Sequence, residues 1–261
     1  NTDGSNRFGL AYASGTGKAT IAGIAVDTNG LRSVLVARVD AGGTPDASFA
    51  GDGIATLSFG QQFGADDGRG VALDGEKTVV VGWLDTSALL VVRLNADGTP
   101  DSSFDGDGLA SPAAAGNTIG WAVAVRPDHR IVVAASTPGS SSNVKVFQLT
   151  EAGALDTSFG GGDGIVDLTL SAAQDEDVSA IALQPDGKIV LAGWVNVSGS
   201  FTGDWVVARL NADGTPDTGF DGDGIRQLAF GAAGQQEEAY GLALQADGRI
   251  VVAGSARPAG G

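Results

Sequence analysis

Short apolar runs alternate with polar, glycine-rich turns along the whole chain. The clearest case runs Ser179-Ala180-Ile181-Ala182-Leu183, then the turn Gln184-Pro185-Asp186-Gly187, then Lys188-Ile189-Val190-Leu191-Ala192-Gly193-Trp194. The unit returns at 71–83, 122–135 and 241–254, and in a looser form at 10–23. No window of helix length carries apolar residues at helical spacing, so each run reads as a strand and each pair as a hairpin. Asp186-Gly187 and Asp247-Gly248 are strong hairpin turns, because glycine accepts the positive φ such turns need.

A second unit alternates with the first. Val91-Val92-Arg93-Leu94-Asn95-Ala96-Asp97-Gly98-Thr99-Pro100-Asp101-Ser102-Ser103-Phe104-Asp105-Gly106-Asp107-Gly108 returns almost letter for letter at 207–224, and looser copies end at Gly53 and Gly164. Its phenylalanines are Phe49, Phe104, Phe159 and Phe220. A large apolar side chain recurring once per unit reads as core. This unit also predicts two strands, one on each side of the turn; Pro100 and Pro216 fall in the turn, where a missing N–H breaks no ladder.

Together the two units make a repeat of four short strands, A to D. The order is A-B-C-D four times, then A-B once, over about 10–60, 71–112, 121–170, 179–230 and 240–255. Four-stranded repeats of this length predict an all-β fold, a β-propeller of antiparallel blades, with about eighteen strands and essentially no α-helix. The small residues of A, such as Ala122, Ala124, Ala180 and Ala182, suit an innermost strand. Two irregularities are expected in the edges: Ser111-Pro112 interrupts strand D of the second repeat, and His129 stands where the other A-B turns have glycine. The last A-B pair has no C and D. Its outer edge is expected to be met by a missing continuation, a second subunit or the N-terminal segment, and the natural protein is expected to extend beyond these residues.

Composition narrows the function. Of the 261 residues, 31 are acidic and 15 are Lys or Arg, a net charge of −16. That balance disfavours nucleic acid and anionic membrane as partners, and no apolar run is long enough to span a membrane. Without cysteine, thiolate chemistry and disulfides are excluded; with His129 as the one histidine, so are histidine-based metal sites. No G-x-S-x-G elbow accompanies His129. Gly15-Thr16-Gly17-Lys18 lacks the spacing of a phosphate-binding loop and lies in a hairpin turn.

No motif implies a cofactor, but the carboxylates invite calcium, a cation that takes oxygen ligands. Asp105-Gly106-Asp107-Gly108, with Asp97 and Asp101, reads first as turn chemistry, in which Asp side chains accept backbone N–H groups. A second acidic set precedes the A strands: Asp67, Asp175, Asp177, Glu237 and Glu238. In a propeller these would converge on one mouth of the channel, either as a hydrated acidic rim or as a cation site. Trp83 and Trp194 share one place after strand B, where they either pack between blades or stack on a sugar.

The motifs Leu-Asn-Ala-Asp-Gly-Thr-Pro-Asp-x-x-Phe-x-Gly-Asp-Gly and Ala-Leu-Gln-Pro-Asp-Gly-Lys-Ile-Val-Leu-Ala-Gly resemble the delta-60 repeat family of bacterial propeller-type repeats, over nearly all of 10–255. The A-B hairpin is also similar to that of NHL-type propellers. The resemblance implies a large secreted or surface-exposed bacterial protein and no reaction. The function expected is therefore a non-catalytic binding or structural module with a protein or glycan partner on one loop face. The alternative is a carbohydrate-active or other hydrolytic propeller that uses carboxylates near the channel.

Overall fold

The computed structural model describes residues 8–59, 66–84, 88–138, 142–171, 175–196, 203–230 and 237–256. Its eighteen strands form five antiparallel sheets, and one 3-10 turn at Ala113–Ala115 is the only helical element among the described residues. In sheet 1, β1 (Gly9–Ala13), β2 (Lys18–Val26), β3 (Arg32–Val39) and β4 (Ile54–Leu57) pair in chain order. Sheet 2 repeats this with β5 (Asp67–Asp74), β6 (Lys77–Leu84), β7 (Ala88–Leu94) and β8 (Leu109–Ala110). Sheet 3 holds β9 (Ile119–Val125), β10 (Ile131–Ser136), β11 (Val144–Leu149) and β12 (Ile165–Leu168). Sheet 4 holds β13 (Glu176–Leu183), β14 (Ile189–Asn196), β15 (Gly203–Leu210) and β16 (Ile225–Leu228). Sheet 5 is the pair β17 (Glu238–Leu244) and β18 (Ile250–Ser255). This is the all-β propeller repeat that the alternation predicts, blade by blade.

The strands fall into two compact units. One comprises residues 1–125 and 151–154, the other 126–150 and 155–261. In the first, Phe49, Val34, Val36, Val80, Leu90 and Val92 form one buried cluster between sheets 1 and 2. In the second, Ala192, Trp205 and Ala239 pack with Leu242 and Val252, joining sheets 4 and 5. A middle strand covered on both faces is largely apolar: five consecutive residues of β6, Thr78 to Gly82, are buried. In β18 the same position of the repeat is largely exposed.

Both expected irregularities are present. β8 is two residues long where β4, β12 and β16 have four. His129 holds φ at +65°, and its N–H still donates to the Arg126 carbonyl at 2.9 Å, as Gly187 does to Gln184 at 2.9 Å. In sheets 2, 4 and 5 strand A begins two to four residues earlier than the repeats as read from sequence, and a β-bulge re-registers it there. The shifts lie between Gly68 and Gly70, Val178 and Ala180, and Ala239 and Gly241. The acidic residues expected in the connections thus lie partly on the strands: Asp67, Asp177 and Glu238 are on β5, β13 and β17, while Asp175 and Glu237 sit just ahead of them.

Candidate functional site

The repeated acidic motif is consumed by the blade. In the first unit, the Nε of Arg93 on β7 donates to Asp101 at 2.6 Å, and Lys77 reaches the same carboxylate at 2.8 Å. The Arg93 guanidinium lies over the Phe104 ring, and its Nη1 donates to the Glu151 carbonyl at 2.7 Å. Arg38, Asp46, Lys18 and Phe49 repeat the arrangement in sheet 1, and Arg38 Nη1 reaches the Ala96 carbonyl. In the second unit, Arg209, Asp217, Lys188 and Phe220 repeat it in sheet 4. Burial works to raise the Asp101 carboxyl, but Lys77, Ser103 and Arg93 overrule it and hold it well below the usual carboxylate range. Lys188, against the effect of burial and with help from Arg209, brings Asp217 down to about 2.

Sheet 3 departs from the pattern, since Gln148 stands where the arginine belongs. Gln148 donates to Asp156 at 2.7 Å, and Arg126 fills the missing role from a different place in the repeat. Its Nε donates to Gln148 Oε1, and its Nη groups donate to the Gly187 and Ala212 carbonyls at 3.0 and 2.9 Å.

The Asp-Gly-Asp-Gly turns follow the turn reading. Asp52, Asp107, Asp163 and Asp223 each accept the amide two residues on, at 2.9 Å. Asp97 accepts the Thr99 amide and hydroxyl. The arginine of strand C passed unremarked in the sequence, although it stands in the repeated string. The signal was a charged residue at a fixed place in an apolar strand.

The acids at the start of strand A are set by a second device. A strand-B glycine stands opposite the residue that follows each one, at Gly82, Gly193 and Gly254. A Cβ there would run into the carbonyl oxygen of Asp67, Asp177 and Glu238 respectively. In the first unit, Asp67 is 1% exposed and accepts from Arg69 at 3.1 Å and Arg32 at 3.4 Å. Arg69, the bulge residue, lies 4.3 Å over the Trp121 ring. Trp83 pairs with Asp67 across the strands and is half-buried, with its indole N–H buried and without a hydrogen-bond partner among the described residues.

The second unit gathers more acids. Asp177 accepts from the Ser136 hydroxyl and the Val178 amide. Glu237 accepts the Phe230 amide at 2.9 Å, and Glu176 the Ser171 amide at 2.7 Å. Asp175 accepts from Asn196 at 3.4 Å, and Glu238 begins β17. Trp194 pairs with Asp177 and with Trp205, and its indole N–H is also buried and without a hydrogen-bond partner among the described residues. Burial pushes the Glu176 carboxyl up; burial and then the charge of Glu237 do the same to Asp204. Among the described residues, no group of three or more His, Asp or Glu is placed to hold a metal ion, and no helix is long and apolar enough to cross a membrane.

Of the four phenylalanines, Phe49, Phe104 and Phe159 are fully buried, as expected. Phe220 is half-buried, which corrects the expectation of core burial. Each of the other three is covered by the turn glycine of the following sheet: Gly98 on Phe49, Gly153 on Phe104 and Gly214 on Phe159. Sheet 5 supplies no such turn among the described residues.

These blades define a β-propeller repeat protein. Residues 15–49, 77–104, 184–220 and 245–261 match the family model described as a domain of unknown function (DUF5122) beta-propeller. None of the curated proteins compared with the chain matches it. Among solved structures, an endo-1,4-beta-xylanase from Bacteroides thetaiotaomicron VPI-5482 is similar at 11% identity and TM-score 0.48, over 95% of this chain and 94% of that one. A protein of unknown function from Dyadobacter fermentans DSM 18053 is similar at 13% identity and TM-score 0.48, over 94% of this chain and 73% of that one.

Proposed function

We propose that the chain is a non-catalytic binding module of a longer secreted or surface-exposed bacterial protein, and that its ligand is a glycan. The observation that carries this reading is the Arg69–Trp121 pair. A guanidinium oriented by the buried Asp67 is stacked on a half-buried indole. Directional donors beside an aromatic ring suit a ligand that has both hydroxyls and apolar faces. The resemblance of the motifs to delta-60 repeats supports the secreted or surface location.

A second reading, carboxylate-based hydrolysis, is favoured by one observation. Asp204 is raised by burial and by the neighbouring charge of Glu237, the kind of environment that separates an acid from a base.

Glycan-array binding measured beside a reducing-end release assay separates the two readings. Saturable binding without turnover, lost in Arg69→Ala and Trp121→Ala, supports the module. Turnover abolished by Asp204→Asn supports hydrolysis. Capture of proteins and no glycan overturns both. Running the array with calcium and with a chelator tests the cation expected at Asp67, Asp175, Asp177, Glu237 and Glu238.

A further inference from the structure

The ion pairs that build the blades recur from sheet to sheet; one pair of arginines in the first unit does not. Arg32, which opens β3, and Arg69, at the bulge of β5, both reach the buried carboxylate of Asp67. Their distances are 3.4 and 3.1 Å, against 2.6 to 2.7 Å for the strand-C arginines on Asp46, Asp101 and Asp217. A well-made bond between two charged groups is about 2.7–2.9 Å long, so both contacts are loose. Arg69 Nε is buried without an acceptor, and neither Arg69 Nη1 nor Arg32 Nη2 has one among the described residues. In the second unit the counterparts of Arg32 and Arg69 are Ser142 and Ser179 beside Asp177, and Gly203 and Tyr240 beside Glu238. A blade is thus built without these arginines, and the donors they hold in reserve serve something other than the fold.

The backbone around Arg69 fixes where those donors stand. A Cβ at Gly68 would meet the Gly23 carbonyl oxygen at 2.9 Å, and one at Gly70 that of Trp121 at 2.8 Å. β5 is therefore seated between β2 and β9, and the bulge between them carries Arg69 over the Trp121 ring. The Arg32 side chain, 49% exposed, approaches from sheet 1. Both arginines approach the same oxygen, Asp67 Oδ2, which places the two guanidinium groups within reach of a single ligand carboxylate. The adjacent acid, Asp66, is buried and engaged by the Phe59 amide at 3.1 Å. Two cations over one carboxylate leave a positive charge that Asp67 does not cancel, in a chain whose net charge is −16. A planar carboxylate, with two acceptor oxygens, is the anion that guanidinium forks fit.

We propose that the sugar bound at this site is an acidic one, a uronate, whose carboxylate bridges Arg32 and Arg69 while its ring lies beside the Trp121 indole. The proposal rests on the glycan reading of the same site and adds the charge of the ligand to it.

The test titrates the 261-residue chain calorimetrically with oligomers of galacturonate and of glucuronate, and with their methyl esters. The ester keeps the sugar ring and hydroxyls and removes the charge. An acid oligomer should bind saturably and at least about tenfold more tightly than its ester, the worth of a hydrogen bond to a charged group. Arg32→Gln breaks only a long, half-exposed pair, so the melting temperature should barely move. It should weaken the acid oligomer at least about tenfold and leave the ester unchanged. Acid and ester bound equally, with both lost in Trp121→Ala, keep the glycan reading and overturn the uronate. Binding of neutral glycans alone does the same, as does a sulfated oligosaccharide preferred over every uronate. A preference for the acid that survives both Arg32→Gln and Arg69→Gln overturns the assignment to these arginines. No binding to any glycan, charged or neutral, overturns both readings.

Discussion

The Cζ atom of Arg93 lies 4.8 Å from the centroid of the Phe104 ring. Both side chains are buried, and the arginine reaches Asp101 on one side and the carbonyl of Glu151 on the other. One cation thus ties a strand, the turn that follows it and a turn 58 residues further on. Charges this deep are tolerated because the Arg93 Nε, Nη1 and Nη2 groups all have acceptors.

Arg93→Ala should therefore destabilise the protein by about 3–5 kcal/mol, the usual cost of breaking a buried pair from one side. Arg226→Ala, at an exposed pair with Asp221, should change stability by less than about 1 kcal/mol. Guanidinium unfolding midpoints at constant slope check both.

Sheet 3 offers a coupling experiment. Arg126→Ala should destabilise, since it frees the Gln148 amide oxygen and two carbonyls. In a Gln148→Arg background, which restores the arginine that the other sheets carry, the same substitution should cost less. A double-mutant cycle should give a coupling of about 0.5–3 kcal/mol. Additivity would show that Arg126 does not substitute for the missing strand-C arginine.

The phenylalanines should not behave alike. Phe104→Ala should cost roughly 3–5 kcal/mol. Phe220→Ala should cost clearly less, because its ring is half-buried and has no covering glycine turn among the described residues. Equal losses in urea unfolding would show that Phe220 is covered in solution.

The acid side of the pH–stability curve should be steep. Asp46, Asp101 and Asp217 are all lowered in the folded state. Their contribution is complete above the ordinary aspartate range and lost as pH falls through the folded values, toward and below about 2 for Asp217. Asp217→Asn should lower stability at neutral pH and flatten the fall between pH 4 and 2. Glu176 has the opposite sign: its pKa is raised by burial, so its contribution is present below the ordinary glutamate value and lost as pH rises through the folded one. Glu176→Gln should then raise the melting temperature at neutral pH and not at pH 4. Thermal melts across pH separate the two.

How much of this was legible beforehand can be read from particular residues. The alternation around Asp186-Gly187 predicts a hairpin because strand and turn preferences act between neighbours in the chain, and β13 and β14 form as read. The Asp-Gly-Asp-Gly turns were legible for the same reason, as their bonds close over two residues. Strand A was placed late because the bulges at Gly68, Val178 and Ala239 shift the register, and the glycines opposite them mean nothing until the strands are side by side.

By itself, then, the sequence determined the repeat, its four-strand order and the fold class. These follow from short-range periodicity repeated often enough to leave one architecture. Tertiary structure alone decided which charges are structural. Arg38 meets Ala96 across 58 residues, and Arg126 meets Ala212 across 86. Only stacked sheets bring such groups together and remove the water that would otherwise hydrate them. The same stacking makes Phe104 a core residue and leaves Phe220 half-open, although the local strings around the two are nearly identical.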